Sequence, residues 1–164
     1  MKEQNRISRR QFLIMTGLAA GAIITSPSVG GLIKPSVAEA AKPEKEDIRD
    51  VLKKFFDGRK INYSRVKLKT PIIAENGAVV PITIKSDLPM EKDHYVKKIY
   101  IFVDKNFHPF TASAELTPAN GKAALSLRIK MRKTSNVRVV METNKGELYG
   151  AKKMVKVTIG GCGG

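Results

Sequence analysis

The sequence predicts an all-β chain, an immunoglobulin-like antiparallel β-sandwich preceded by one N-terminal helix and followed by a short glycine-framed arm. Three observations predict it. Apolar residues alternate with polar ones in successive short runs after Tyr63, the period of half-buried strands. Turn-forming clusters separate those runs, and no helical stretch intervenes, so about seven strands fall within about 100 residues. Apolar spacing of three to four residues, the helical period, occurs once, before the strands begin.

The helix is expected from about Glu44 to Asp57. Ile48, Val51, Leu52, Phe55 and Phe56 form one apolar face, and Gly58 is placed to stop it. Glu44, Glu46 and Asp47 suit the positive end of the helix dipole, and Lys53 and Lys54 the negative end. The Phe pair reads as a docking face, not a cofactor site. Ile72-Ile73 and the run Ala78 to Lys85 flank Asn76-Gly77, a hairpin-type signal. Pro81 has no N–H to give a ladder and argues for an edge position. Ile99, Ile101 and Val103 share a face. Leu125, Leu127, Ile129 and Met131 alternate with Ser126, Arg128, Lys130 and Arg132 in the most regular period-2 pattern of the chain. Val137, Val139 and Met141 follow, then Val155, Val157 and Ile159. Turn signals lie at Asp87-Leu88-Pro89, His108-Pro109, Pro118 to Gly121 and Asn144-Lys145-Gly146.

Residues 1–40 read as a targeting segment outside the fold. Lys2, Arg6, Arg9 and Arg10 lead into an apolar stretch from Phe12 to about Thr25, and Ala38-Glu39-Ala40 supplies a small-residue cleavage pattern. Ser8-Arg9-Arg10-Gln11-Phe12-Leu13 is similar to the twin-arginine export signal. The expectation is cleavage after Ala40 and a periplasmic mature chain starting at Ala41. The stretch is shorter than the 18 or so residues that span a bilayer, so stable membrane insertion is not expected; an uncleaved anchor is the alternative. Removing 1–40 takes away five of the 30 Lys and Arg and two of the 15 acids, leaving a net charge of about +12. That surplus attracts anions and acidic partners. Export, the spread of the basic residues and the absence of Trp argue against nucleic acid.

The chain ends Gly160-Gly161-Cys162-Gly163-Gly164 and holds one cysteine. The glycines admit almost any backbone conformation, and the five residues extend roughly 15 Å. The segment 160–164 therefore reads as a swinging arm on a rigid domain, residues 41–159. In an oxidising compartment a lone thiol is reactive, capped or cross-linked to another molecule. No activating base lies in the arm, and the terminal carboxylate disfavours the thiolate, so Cys162 is not a strong nucleophile by itself. A reachable thiol that others activate suits a substrate carrier.

Other chemistry has little support. A blue-copper set needs two His, a Cys and a Met, and His94, His108 and Cys162 are present. Yet only two glycines follow Cys162, where His and Met would be needed, so His94 and His108 read as surface or turn residues. The chain has no Cys-x-x-Cys, no phosphate-binding Gly-Lys-Ser/Thr loop and no local Cys–His pair. No metal, cofactor or catalytic residue is expected.

The residues at this point resemble the SoxY sulfur-carrier family of the bacterial thiosulfate-oxidising system. The resemblance rests on the twin-arginine start, Ala74-Glu75-Asn76-Gly77-Ala78-Val79-Val80-Pro81, Arg128-Ile129-Lys130-Met131-Arg132, and Val155 to Ile159 running into Gly-Gly-Cys-Gly-Gly. Asn106-Phe107-His108-Pro109 departs from the Asn-Pro-x-Pro expected there, and the basic charge is not a family feature. The resemblance implies a non-enzymatic carrier with Cys162 as the covalent attachment site and Gly160, Gly161, Gly163 and Gly164 as its mount. A c-type cytochrome would join thiosulfate oxidatively to the thiol, giving Cys–S–S–sulfonate. A hydrolase would then release sulfate, and in some organisms a molybdenum sulfane dehydrogenase would oxidise the sulfur left behind. The implied partner is a second β-sandwich, SoxZ, in a heterodimer. Two other readings stay open: a thiocarboxylate carrier using Gly163-Gly164, and an exported structural domain cross-linked through Cys162.

Overall fold

The structure, a computed structural model, describes residues 45–161. The segment read as an export signal, with Arg9 and Arg10, and Cys162, Gly163 and Gly164, lie outside the described residues.

Among the described residues one α-helix, α1 (Ile48–Phe56), precedes the strands. It starts four residues later than the sequence suggests, because Asp47 caps it: its carboxylate accepts the Arg49 N–H at 2.7 Å. Glu46 therefore precedes the helix, and Asp50 is the acid in its first turn. The chain leaves through Asp57 and Gly58, both at positive φ (54° and 74°), a stop that suits Gly58.

Nine strands follow: β1 (Val66–Lys69), β2 (Ile73–Asn76), β3 (Val80–Ser86), β4 (Met90–Glu91), β5 (His94–Val103), β6 (Phe110–Glu115), β7 (Ala124–Ile129), β8 (Ser135–Thr143) and β9 (Leu148–Ile159). They make two sheets, β1-β3-β7 and β2-β9-β8-β5, with β4 and β6 beside different stretches of β5. This is the expected sandwich with three amendments. Nine strands stand among the described residues where about seven are expected. β2 pairs with β9 in parallel, so the larger sheet is not wholly antiparallel. The Asn76-Gly77 signal also does not close a hairpin: β2 lies in the larger sheet and β3 in the smaller, so the turn carries the chain across the sandwich. Its local chemistry still holds, since the Asn76 side chain accepts the Ala78 N–H at 2.8 Å. β3 is the middle strand of its sheet, but β1 ends opposite Thr83, so at Pro81 only β7 runs alongside. The edge argument is therefore right locally.

Between the sheets the expected faces meet. Val80, Ile84, Ile99, Ile101, Val103, Met131, Val137, Val139, Met141 and Val155 have no exposed surface. Each stabilises the fold by about 1.5–3 kcal/mol relative to exposure. A second cluster lies on the outer face of the larger sheet. There Val51 and Phe56 of α1 cover Phe102, Val140 and Leu148. Phe55 and Phe56 meet Phe102 and Tyr100 edge-on, at 5.5 and 5.2 Å between ring centroids, a favoured aromatic geometry. The helix face thus docks on its own sheet and is not left open for a partner.

Candidate functional site

β9 is the longest strand and ends at the segment of interest. Ala74 of β2 lies opposite Val157, and Asn76 opposite Ile159, so β2 guides the chain to its end. Three backbone segments then meet in a closed circuit. The Gly77 N–H donates to the Ile159 carbonyl at 2.7 Å, the Met131 N–H to the Gly77 carbonyl at 2.7 Å, and the Gly161 N–H to the Met131 carbonyl at 3.0 Å.

Only glycine fits at these places. A Cβ on Gly160 would overlap the Arg132 carbonyl oxygen, and one on Gly161 would lie 2.7 Å from the Ala78 nitrogen. A Cβ on Gly77 would overlap the Met131 carbonyl oxygen and lie 2.8 Å from the Gly161 nitrogen. Gly161 is buried. The sequence suggests that freedom begins at Gly160. In the structure Gly161 is buried, and Gly160, though exposed, turns the side a Cβ would occupy against the Arg132 carbonyl, so at both the lack of a side chain serves close backbone approach. Cys162, Gly163 and Gly164 follow beyond the described residues.

The Met131 corner is held from beneath by Asn106, a buried polar residue (3% exposed). Its Nδ2 donates to the Lys130 carbonyl and its Oδ1 accepts the Arg132 N–H, both at 3.0 Å. One amide side chain thus satisfies backbone groups on both sides of Met131. The neighbouring Phe107 ring carries the Arg132 guanidinium 4.2 Å from its centroid. Sequence reasoning marked Asn106 only through its loop and Gly77 only as a turn residue. The signal it lacked was the second segment that each must touch.

Several titratable groups elsewhere form separate structural clusters. Glu142, with its side chain 8% exposed, takes Arg59 at 3.0 Å, Lys97 at 3.3 Å and the Tyr100 hydroxyl at 3.0 Å. Burial pushes its carboxyl up, but the hydrogen bonds from Arg59, Tyr100 and Lys97 together outweigh that and leave it below the usual carboxylate range. Tyr100 moves the other way. Burial and its hydrogen bond to Glu142 push the phenol up to about 12. Asp104 and Arg138 form a bidentate pair at 2.6 and 3.0 Å. His94 pairs with Glu147 at 2.8 Å and His108 with Glu46 at 3.2 Å. Among the described residues no three His, Cys, Asp or Glu gather as a metal site, and no helix is long and apolar enough to cross a membrane.

Comparison with known proteins gives a consistent family. The chain is similar to the sulfur carrier protein SoxY from Chlorobium limicola f thiosulfatophilum, at 38% identity and a TM-score of 0.57, the match covering 69% of this chain and 97% of that one. A superoxide reductase (neelaredoxin) from Ignicoccus hospitalis shares the fold alone, at 17% identity and a TM-score of 0.50, covering 62% of this chain and 89% of its own. No curated protein sequence matches. The family profile described as "Sulfur oxidation protein SoxY" matches residues 52–162, from α1 through the sandwich to the cysteine. A β-sandwich whose last strand runs through a closely fitted Gly160-Gly161 pair to Cys162, matched by that profile up to the cysteine itself, belongs to the SoxY family of sulfur oxidation proteins.

Proposed function

We propose that this protein is a periplasmic sulfur carrier of thiosulfate oxidation and that its cargo is held covalently on Cys162. The observation that carries the reading is the family match, which ends on Cys162, the chain's single cysteine. In the first step a bond forms between Sγ of Cys162 and the outer sulfur of thiosulfate. The thiol proton is released, and two electrons pass to a c-type cytochrome. Hydrolysis by a second enzyme then breaks the sulfur–sulfonate bond, releases sulfate and leaves a persulfide. A sulfane dehydrogenase is the further partner where that sulfur is oxidised. The carrier has no catalytic residue of its own; it holds the thiol and its partners supply the chemistry. A SoxZ-like β-sandwich completes the working heterodimer.

Intact-mass measurement of the natively purified protein tests this. Additions of sulfur-containing mass are expected, removed by a thiol reductant because the bond is of the disulfide kind, and absent from Cys162→Ser. Additions that persist in Cys162→Ser would move the attachment elsewhere, the terminal carboxyl of Gly164 being the first place to look. A permanent reductant-sensitive homodimer without added sulfur would instead favour a structural cross-link.

A further inference from the structure

The glycines before Cys162 do more than permit motion. Gly161 is buried, its N–H is bonded to Met131, and both Gly160 and Gly161 lie where a Cβ would strike backbone that cannot move aside cheaply. Gly77 meets the same limit from the opposite side, since a Cβ there would strike the Met131 carbonyl and the Gly161 nitrogen. Asn106 pins the corner that accepts Gly161 by bonding to Lys130 and Arg132, the residues on either side of Met131.

We propose that the Gly77 turn and the Asn106-pinned Met131 corner form a seat that fixes the chain at Gly161, so that Cys162 pivots from that point. Gly77 and Asn106 are then positioning residues for the thiol. The proposal deepens the carrier reading and rests on it for its purpose, though not for its geometry. Seated, the Cys162 Cα is one peptide from Gly161, about 3.8 Å away. Peeled back to Ile159, three residues would give it a reach of about 10 Å. In the seated state the thiol segment leaves the domain beside the Gly77 turn and the Met131-Arg132 backbone, and a partner enzyme must bring its active site there. A single backbone hydrogen bond, from Gly161 to Met131, holds the last seated residue. A partner that competes for the Met131 carbonyl would therefore lengthen the arm.

The test uses the mature full-length chain. Amide hydrogen exchange should show Gly161 protected at least tenfold relative to Gly163; equal rates at the two would overturn the seat. A nitroxide on Cys162 should broaden the amide signals of Gly77, Ala78, Met131 and Arg132 in the parent and in Gly163→Ala. In Gly77→Ala that broadening should fall by at least half and the label's spectrum should sharpen. Undiminished broadening in a folded Gly77→Ala would also overturn the seat, and the exchange measurement on the parent decides the matter should that variant not fold. Enzymatic loading of Gly77→Ala should drop about tenfold while alkylation by iodoacetamide keeps its rate. The two readings fail separately. Sulfur retained by Cys162→Ser removes the carrier role and leaves the seat, whereas free exchange at Gly161 removes the seat and leaves the carrier role.

Discussion

The buried carboxylate Glu142 and its phenol partner Tyr100 give this domain a pH response at both ends of the scale. The Glu142 carboxyl sits below its ordinary value of 4.5, so folding stabilises its charged form. That stability is fully present above the ordinary value and is lost as pH falls through the lowered one. Tyr100 titrates at about 12 in the fold against 10 ordinarily, so the unfolded chain loses that proton first. Stability should decline from about pH 10 upward for that reason. Glu142→Gln should cost about 2 kcal/mol at neutral pH, the worth of hydrogen bonds to a buried charge, and flatten the acid limb of a urea-midpoint profile against pH. Tyr100→Phe should flatten the alkaline limb relative to the parent. Parallel profiles for parent and both variants would show that this cluster does not set the response. Cys162→Ser belongs to the same scale. Its loss should remove the cargo while the melting temperature stays that of the parent, because it lies beyond the last strand.

Two elements invite direct tests. α1 is held to the outer face of the larger sheet largely by Phe56, which is 1% exposed. Phe56→Ala should cost about 3–5 kcal/mol, the range for deleting a buried aromatic ring, read as a shift in the denaturant midpoint. A shift below about 1 kcal/mol would mean that the helix contributes little to the domain. The smaller sheet turns a basic outer face to solvent. Lys67, Lys69, Lys85 and Arg128 are all exposed and enter none of the ion pairs among the described residues, and Lys67 stands directly opposite Lys85. Like charges in register destabilise a strand pair. Lys67→Glu should therefore stabilise the domain by about 0.5 kcal/mol, and the gain should shrink in 1 M salt. An unchanged or lowered urea midpoint at low salt would show that the opposition is already relieved by solvent.

At the scale of the whole molecule, export and pairing are the expected behaviours. Replacing Arg9 and Arg10 with Lys should trap the precursor in the cytoplasm; normal processing to an N-terminus at Ala41 would reject the twin-arginine assignment. Co-expression with a SoxZ-like subunit should give a heterodimer that survives strong reductant. Since α1 spends its apolar face on its own sheet, pairing is expected through sandwich surfaces. Ile73 of β2, Ile72 just before it, and Met154 and Ile159 of β9, all more than half exposed, are the large apolar residues available there.

Much of this was legible in the sequence. The alternation of Leu125 to Met131, of Val137 to Met141 and of Val155 to Ile159 determined the strands and most of their buried face, because a period of two leaves only one face to bury; the exception is Ile159, 68% exposed at the end of β9. The spacing from Ile48 to Phe56 determined the helix, and the terminal motif determined which residue to suspect. What the tertiary structure decided was contact between distant segments. Phe102 and Val140 are buried on the face opposite the sandwich core because α1 lies over them, and no local period announces a second cover. Asn76-Gly77 has the chemistry of a hairpin turn, yet the sheet to which each flanking strand belongs depends on β9 and β7, far along the chain. Gly160 and Gly161 look free because a sequence shows only that they lack side chains. Whether that absence allows motion or close packing depends on what lies within 3 Å, and here the backbones of Ala78, Met131 and Arg132 do.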